Sequence, residues 1–473
     1  MQSIPCHTRI VSAIFPPSQV MAEEAIGVNM GKWPKYHNEK METLDEERLK
    51  ALQENKLKKQ LKYVWAKSPF YQKKFREAGL SPRDFKSLED LRKFPFTTKE
   101  ELRDSQAQYP PLGDHVAAPM EKIIRIHSSS GTTGVPSFVG ITKHDQRVWT
   151  DITSRSLYTW GVRPDDVIIH AVGLTFFVGG LPVKDAIERI GATFVPIGTG
   201  ASDRVVSTTQ LLRANVIHCT PSYAIYLGDY VRSKLKMDPS SLGIKKVICG
   251  AEPGGGIPSI RKKIEEDFGC LVTEGLGNSD AAPIIFGECP NQKGMHFCAQ
   301  EFILCELIDP DTGEVLEMKE DATGELVYTL MDREACPLIR FRTRDRITVW
   351  TSPCECGRTS FRVRCIGRTD DMLIVLGVNV FPSAVKDVVA SLRPRTTGEI
   401  QIILDQPAPK VDPPMKVQVE YSKEVMDLKD LKHEIENLLK EKLVFKAEVN
   451  LVPEGTLPRY EMKAKLIRKL YEE

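Results

Sequence analysis

The sequence predicts an α/β protein with a large N-terminal domain of alternating β and α layers and a small C-terminal α+β domain. Three observations lead there. Between residues 140 and 290, short β-branched apolar runs alternate with segments of helical periodicity, the pattern of a parallel sheet covered on both faces. Near residue 366 the composition shifts, at a polar turn between two apolar runs. At 473 residues the chain is long enough to bury more than one core.

In chain order, residues 1–44 read as a loose N-terminal extension. No acidic residue precedes Glu23, and Ile10-Val11-Ser12-Ala13-Ile14-Phe15 is too short for a secretory signal and is broken by Pro16-Pro17. Met21 and Met30 are alternative starts. The large domain then spans 45–366 and the small one 367–473. Leu49, Leu52, Leu57, Leu61 and Val64 recur among Glu and Lys over 45–66, which predicts an amphipathic helix. Thr97 or Thr98 is placed to cap another. Ile123-Ile124-Arg125-Ile126 reads as a short strand.

Val167-Ile168-Ile169-His170-Ala171-Val172, Val216-Ile217-His218-Cys219, Lys246-Val247-Ile248-Cys249 and Gly269-Cys270-Leu271-Val272 read as buried strands, with helices at 222–235 and 258–268 between them. Ligands of such sheets sit beyond the carboxyl ends of the strands. Gly250-Ala251-Glu252-Pro253 and Glu274-Gly275-Leu276-Gly277 fall at those ends. Past residue 366, strands at 401–404, 416–421 and 447–452 accompany a strong amphipathic helix at 427–442.

Composition excludes several function classes. With 65 basic and 64 acidic residues there is no electrostatic case for nucleic acid. No apolar run is long enough to span a membrane. Eleven cysteines, an odd number scattered through a large chain, do not form a disulfide framework, so a reducing, cytoplasmic setting is expected. The sequence allows a homodimer without requiring one.

The most informative stretch is Ser128-Ser129-Ser130-Gly131-Thr132-Thr133-Gly134-Val135-Pro136-Ser137. Glycines let the backbone curl around a ligand, successive N–H groups in such a turn make an anion site, and the hydroxyls add donors. It is a phosphate-gripping loop without the Gly-Lys-Ser/Thr ending of the Walker pattern.

A second cluster resembles a metal site. Cys289 and His296 lie close in sequence, and Cys354-Glu355-Cys356 forms a knuckle among glycines and prolines. Three cysteines and one histidine are a common structural zinc set. Cys298 and Cys365 are alternative ligands, and free buried thiols are the competing reading.

Ser-Ser-Gly-Thr-Thr-Gly-Val-Pro resembles the signature loop of the acyl-adenylate-forming enzymes. Ser68-Pro69-Phe70-Tyr71, Ser87-Leu88-Glu89-Asp90-Leu91 and Pro95-Phe96-Thr97-Thr98-Lys99-Glu100-Glu101-Leu102 narrow the resemblance to the phenylacetate–CoA ligase family. It covers residues 45 to 473 and implies an adenylate-forming domain with a mobile C-terminal lid. Several family members carry a structural zinc on equivalent segments.

The resemblance also implies roles. The loop, with Gly250, Ala251, Glu252 and Pro253, would hold ATP. Asp345, in Phe341-Arg342-Thr343-Arg344-Asp345, would accept hydrogen bonds from the ribose hydroxyls. Arg358 and Arg368 are cations for the phosphates. Asp370, in Gly367-Arg368-Thr369-Asp370-Asp371, would be the pivot of the lid. Lys463, in Pro458-Arg459-Tyr460-Glu461-Met462-Lys463-Ala464-Lys465, would be the catalytic lysine, its ammonium offsetting charge that builds during displacement. Met462 stands where the family has glycine, which makes Lys465 a competitor.

At the adenine site the family reads Tyr-Gly-Leu-Ser/Thr-Glu, whereas this chain has Glu274, Gly275 and Asn278, with Asp280 as a substitute magnesium ligand. Phe176, Phe177 and Gly179 lie where the family binds its aryl ring, as pocket wall or as core. The implied activity is ATP-dependent, AMP-forming ligation of an aryl acid to CoA, using magnesium. The alternatives are an adenylyltransferase that does not use CoA and a catalytically degenerate nucleotide- and zinc-binding homologue.

Overall fold

One strand, Leu271–Asn278, is the seam of a twelve-stranded mixed sheet. On one side it runs parallel to Lys246–Cys249, followed outward by Val216–Cys219, Val167–His170 and Thr193–Pro196, all parallel. On the other side it turns antiparallel, to Ala282–Glu288, Met295–Phe297, Arg362–Arg368, Phe341–Trp350, Thr323–Leu330, Ile303–Ile308 and Val315–Leu316. This computed structural model describes residues 32–128, 137–376, 378–460 and 464–472.

The two halves follow from different residue patterns. Val216–Cys219 and Lys246–Cys249 are buried throughout, as strands covered on both faces must be. Phe341–Trp350 alternates buried and half-buried positions along its length, the period-two pattern of an antiparallel strand with one face wetter. The parallel half matches expectation. The seam strand runs on through Asn278 instead of ending near Val272, because Gly275 and Leu276 pair with Gly287 and Phe286.

Helices Pro221–Ser233 and Pro258–Phe268 both start on proline, whose missing N–H costs nothing in a first turn. Helix Lys143–Thr159 is closed by a Thr142–Asp145 capping box and packs on Ala282–Glu288. Thr98, not Thr97, caps Lys99–Gln108, while Thr97 is buried and donates to the Ile339 carbonyl. The helix expected over 45–66 is Glu46–Lys67, capped by Asp45 and burying Leu57, Leu61 and Val64.

Residues 35–44, expected to belong to a loose extension, lie in the compact unit Lys35–Glu473. The reason is Glu42, which is buried and ion-paired to Arg358 at 2.8 Å. Residues 1–31 lie outside the described part. Toward the C-terminus, strands Ala447–Pro453, Met415–Tyr421, Thr396–Leu404 and Ile467–Lys469 form a sheet backed by helices Pro382–Ala390 and Leu428–Leu443. Val385, Val389, Ile402, Val417, Leu431 and Ile435 lie in the core between them. Among the described residues, no helix is long and apolar enough to cross a membrane.

Candidate active site

Strand Lys246–Cys249 delivers Gly250-Ala251-Glu252-Pro253 to the carboxyl end of the sheet, with Ala251 in the left-handed region at φ 71°. The stretch sits where a nucleotide is expected, but its carboxylate is engaged within the protein. Glu252 Oε1 accepts from the Ser222 N–H at 2.8 Å and Oε2 from the Ala464 N–H at 2.7 Å.

Glu274 likewise holds the backbone. It accepts from the Gly256 N–H at 2.6 Å, and a Cβ on Gly255 would lie 2.8 Å from its own Cβ. Arg261 pairs with Glu288 and donates to the Gly255 carbonyl at 2.6 Å. Burial raises the Glu274 carboxyl above its ordinary value; burial, with the charge of Glu274 adding, pushes Glu288 up to about 7 against the pull of Arg261.

Gly275, expected at the nucleotide, is a glycine for another reason. A Cβ there would stand 1.6 Å from Cζ2 of the buried Trp160. Asn278 Oδ1 accepts from the Asp280 N–H at 3.0 Å. The Asp280 carboxylate, expected as a magnesium ligand, is buried in an ion pair with Lys99 at 2.5 Å. The Glu274–Gly256 bond and the Arg261–Glu288 and Asp280–Lys99 ion pairs were not visible in the sequence, because the fold brings their partners together from separate segments.

The ribose and pivot candidates do meet. Asp345 and Arg368 are register partners on antiparallel strands, and Arg368 Nη1 donates to Asp345 Oδ1 at 3.2 Å. The same guanidinium grips Asp370 with two bonds, at 2.9 and 2.8 Å. Arg358 is not with them. Its guanidinium is buried against Glu42 and lies over the Tyr36 ring, so it holds the N-terminal segment and not a phosphate.

Of the loop, Ser129, Ser130, Gly131, Thr132, Thr133 and Gly134 lie outside the described residues, as does Lys463. Ser128 ends strand Ile123–Ser128, and its N–H donates to the Phe176 carbonyl at 3.1 Å. This bond ties the start of the loop to the expected aryl slot. Phe176 is 51% exposed, with Phe138 at 5.7 Å between ring centroids, so these two form a wall. Phe177 packs on the main core, and a Cβ on Gly179 would meet its ring at 2.3 Å. Phe177 is half-buried, and Gly179 leaves the space its ring needs.

At the carboxyl ends of neighbouring strands, His170 and His218 face each other with their Nδ1 atoms 3.0 Å apart. Burial keeps both neutral, His218 down to about 4. The pair is a packing element of the parallel half.

The four residues of the metal-like cluster come together. Ligand atoms of Cys289, His296, Cys354 and Cys356 lie within 4.8 Å of one another, all four residues buried. Cys289 and Cys354 sulfurs are 3.8 Å apart, and Cys356 Sγ is 3.2 Å from His296 Nε2. Two thiolates on one tetrahedral zinc stand roughly 3.8 Å apart given Zn–S bonds of about 2.3 Å, so the donor set fits that ion. The hydrogen bond between Cys289 and Cys356 holds the Cys356 thiol far below its ordinary value, with His296 adding, and the Cys289 thiol well above its own. Cys298 and Cys365 bond to the carbonyls of His296 and Gly367 and are not members.

The sequence matches the AMP-binding enzyme family over residues 41–329 and the AMP-binding enzyme C-terminal domain over 377–469. It is 38% identical over 439 residues to the phenylacetate-coenzyme A ligase of Thermus thermophilus, covering 89% of this chain and 96% of the relative. The fold superposes on 2-hydroxyisobutyryl-CoA ligase in its postadenylation state, in complex with R3-HIB-AMP, with a TM-score of 0.86 at 28% identity, covering 93% of this chain and 94% of the other. Against the same ligase in the thioesterification state the TM-score is 0.68 at 29% identity, with 92% of each chain covered.

Proposed function

Because this chain belongs to the AMP-binding enzyme family and is similar to phenylacetate–CoA ligases, we propose that it is an ATP-dependent, AMP-forming acid–CoA ligase acting on an aryl, phenylacetate-like carboxylic acid. The observation that carries the reading is the meeting of Asp345, Arg368 and Asp370 at the base of one antiparallel hairpin. On this reading Asp345 would be the ribose acceptor and Asp370 the pivot, side by side.

In the first step a carboxylate oxygen of the acid attacks the α-phosphate of ATP. The bond to the β-phosphate breaks, giving acyl-AMP and pyrophosphate. The loop from Ser128 would hold the leaving phosphates, Asp345 the ribose, and Lys463 the charge that builds on the attacked centre. Magnesium, when bound, offsets phosphate charge. Asp280 is committed to Lys99, so the phosphates themselves would supply much of the ion's coordination.

In the second step the CoA thiol attacks the acyl carbon and AMP leaves. Residues 367–473 would swing about Asp370 between the steps, which requires the Arg368–Asp370 pair to give way. Phe176 and Phe138 would wall the aryl ring. Cys289, His296, Cys354 and Cys356 would hold a structural zinc. All described cysteines are free thiols, which supports a cytoplasmic setting.

The deciding experiment is pyrophosphate release from ATP and magnesium across a panel of aryl and fatty acids, with and without CoA. Release that requires an aryl acid, together with the matching acyl-CoA, is the expected result. Release that runs on without CoA to a stable AMP adduct would favour an adenylyltransferase, and no release with any acid would end the ligase reading.

A further inference from the structure

Glu252 lies in a stretch expected to touch the nucleotide, yet both its carboxylate oxygens are committed to backbone N–H groups. Oε1 takes the Ser222 N–H at 2.8 Å, in the first turn of helix Pro221–Ser233, a position that favours negative charge. Oε2 takes the Ala464 N–H at 2.7 Å, and Ala464 directly follows Lys463 in the chain. One side chain thus joins the end of the parallel sheet to the C-terminal segment, through bonds strengthened by its charge.

A second tie runs the same way. Ser259, in the first turn of helix Pro258–Phe268, donates to Asp387 Oδ1 on helix Pro382–Ala390 at 2.6 Å. Both anchors on the larger part come from the single stretch 250–268. The pose they hold superposes on the postadenylation state of 2-hydroxyisobutyryl-CoA ligase far better than on its thioesterification state, at 0.86 against 0.68. A rotation of residues 367–473 would break both.

We propose that Glu252 is a positioning residue for the first half-reaction: it seats the backbone beside Lys463, while Ser259 and Asp387 hold the same pose. The inference rests on the ligase reading. It assigns Glu252 to the geometry of the C-terminal segment and not to the grip on ATP, and it makes the stretch 250–268 the docking platform that must release before the thiol step.

The test uses the full chain with Glu252→Ala and Asp387→Ala. Acid-dependent exchange of pyrophosphate into ATP reads the first half-reaction, and thioester formation from pre-made aryl adenylate and CoA reads the second. Exchange by Glu252→Ala should fall by about tenfold or more, from loss of the charge-assisted bond to Ala464, with thioester formation within about twofold of the unaltered protein. Asp387→Ala should shift the same ratio by a smaller factor. Equal loss in both half-reactions, or exchange left intact, overturns the proposal, as does weaker ATP binding that accounts for the whole loss.

Hydrogen exchange of 382–390 and 464–472, measured without substrates, should quicken in both variants. Unchanged protection there overturns the tie whatever the activity. An unaltered protein that shows no exchange with any acid would instead count against the ligase reading, while the protection data would still decide whether the tie exists.

Discussion

Gly275 and Gly287 are register partners across the seam of the main sheet, and the indole of Trp160 lies in the notch between them. A Cβ on Gly275 would come within 1.6 Å of the ring, and one on Gly287 within 3.0 Å. The notch lets the end of helix Lys143–Thr159 lie close on the strands that carry Glu274 and Glu288. Gly275→Ala should therefore cost about 1–3 kcal/mol or more through overpacking. Thermal unfolding would report it; a melting temperature equal to that of the unaltered protein would mean that Trp160 has room to move.

Asp345 should govern the nucleotide. Asp345→Ala removes the acceptor and leaves Arg368 with Asp370 and the Thr343 carbonyl. ATP affinity by calorimetry should fall roughly tenfold to a hundredfold, the range for hydrogen bonds to a charged group. A change of less than about twofold would place the ribose elsewhere.

The cysteine–histidine quartet should bring one zinc ion through purification, and Cys356→Ser should lose it by elemental analysis. Because Tyr36 donates to the Cys356 carbonyl at 3.2 Å and Arg358 pairs with Glu42, the loss should also loosen residues 35–44. Faster proteolysis there is expected. Full metal content in Cys356→Ser would disqualify that ligand.

Glu288 gives a pH signature. Its carboxyl is raised in the folded protein from 4.5 to about 7, so the folded state binds the proton more tightly than the unfolded chain. This contribution to stability is complete below about pH 4.5 and is lost as pH rises through 7, on the order of 3 kcal/mol in all. Glu274 moves in the same direction, and Arg261 opposes both. Denaturant unfolding at pH 5 and pH 7.5 should show a drop that shrinks in Glu288→Gln. An identical drop in the variant would assign the effect to other groups.

What could be read in advance was what the chain encodes locally. Val216–Cys219 and Lys246–Cys249 announce themselves as short β-branched runs, and the metal quartet by its donor types. Asp345 and Arg368 were legible as a motif, though only their strand pairing shows that they touch. The antiparallel half is not legible in the sequence, because strands such as Phe341–Trp350 alternate with polar residues and look like solvated chain. Glu252, Glu274, Asp280 and Arg358 were each given to a ligand and proved to hold Ala464, Gly256, Lys99 and Glu42. A carboxylate in a motif looks the same whether its partner is a ligand or a backbone N–H from far along the chain.

The hairpin of Phe341–Trp350 and Arg362–Arg368 carries Asp345 and Arg368 at its open end, and Cys354 and Cys356 in the turn at its tip. An ion held by the quartet would make it a beam clamped at the tip, with the expected ribose acceptor at the base. A chain starved of the ion would keep its apolar cores and lose precision at the base first. Metal supply would then act as a dial on the rate of acid activation rather than as a condition for folding.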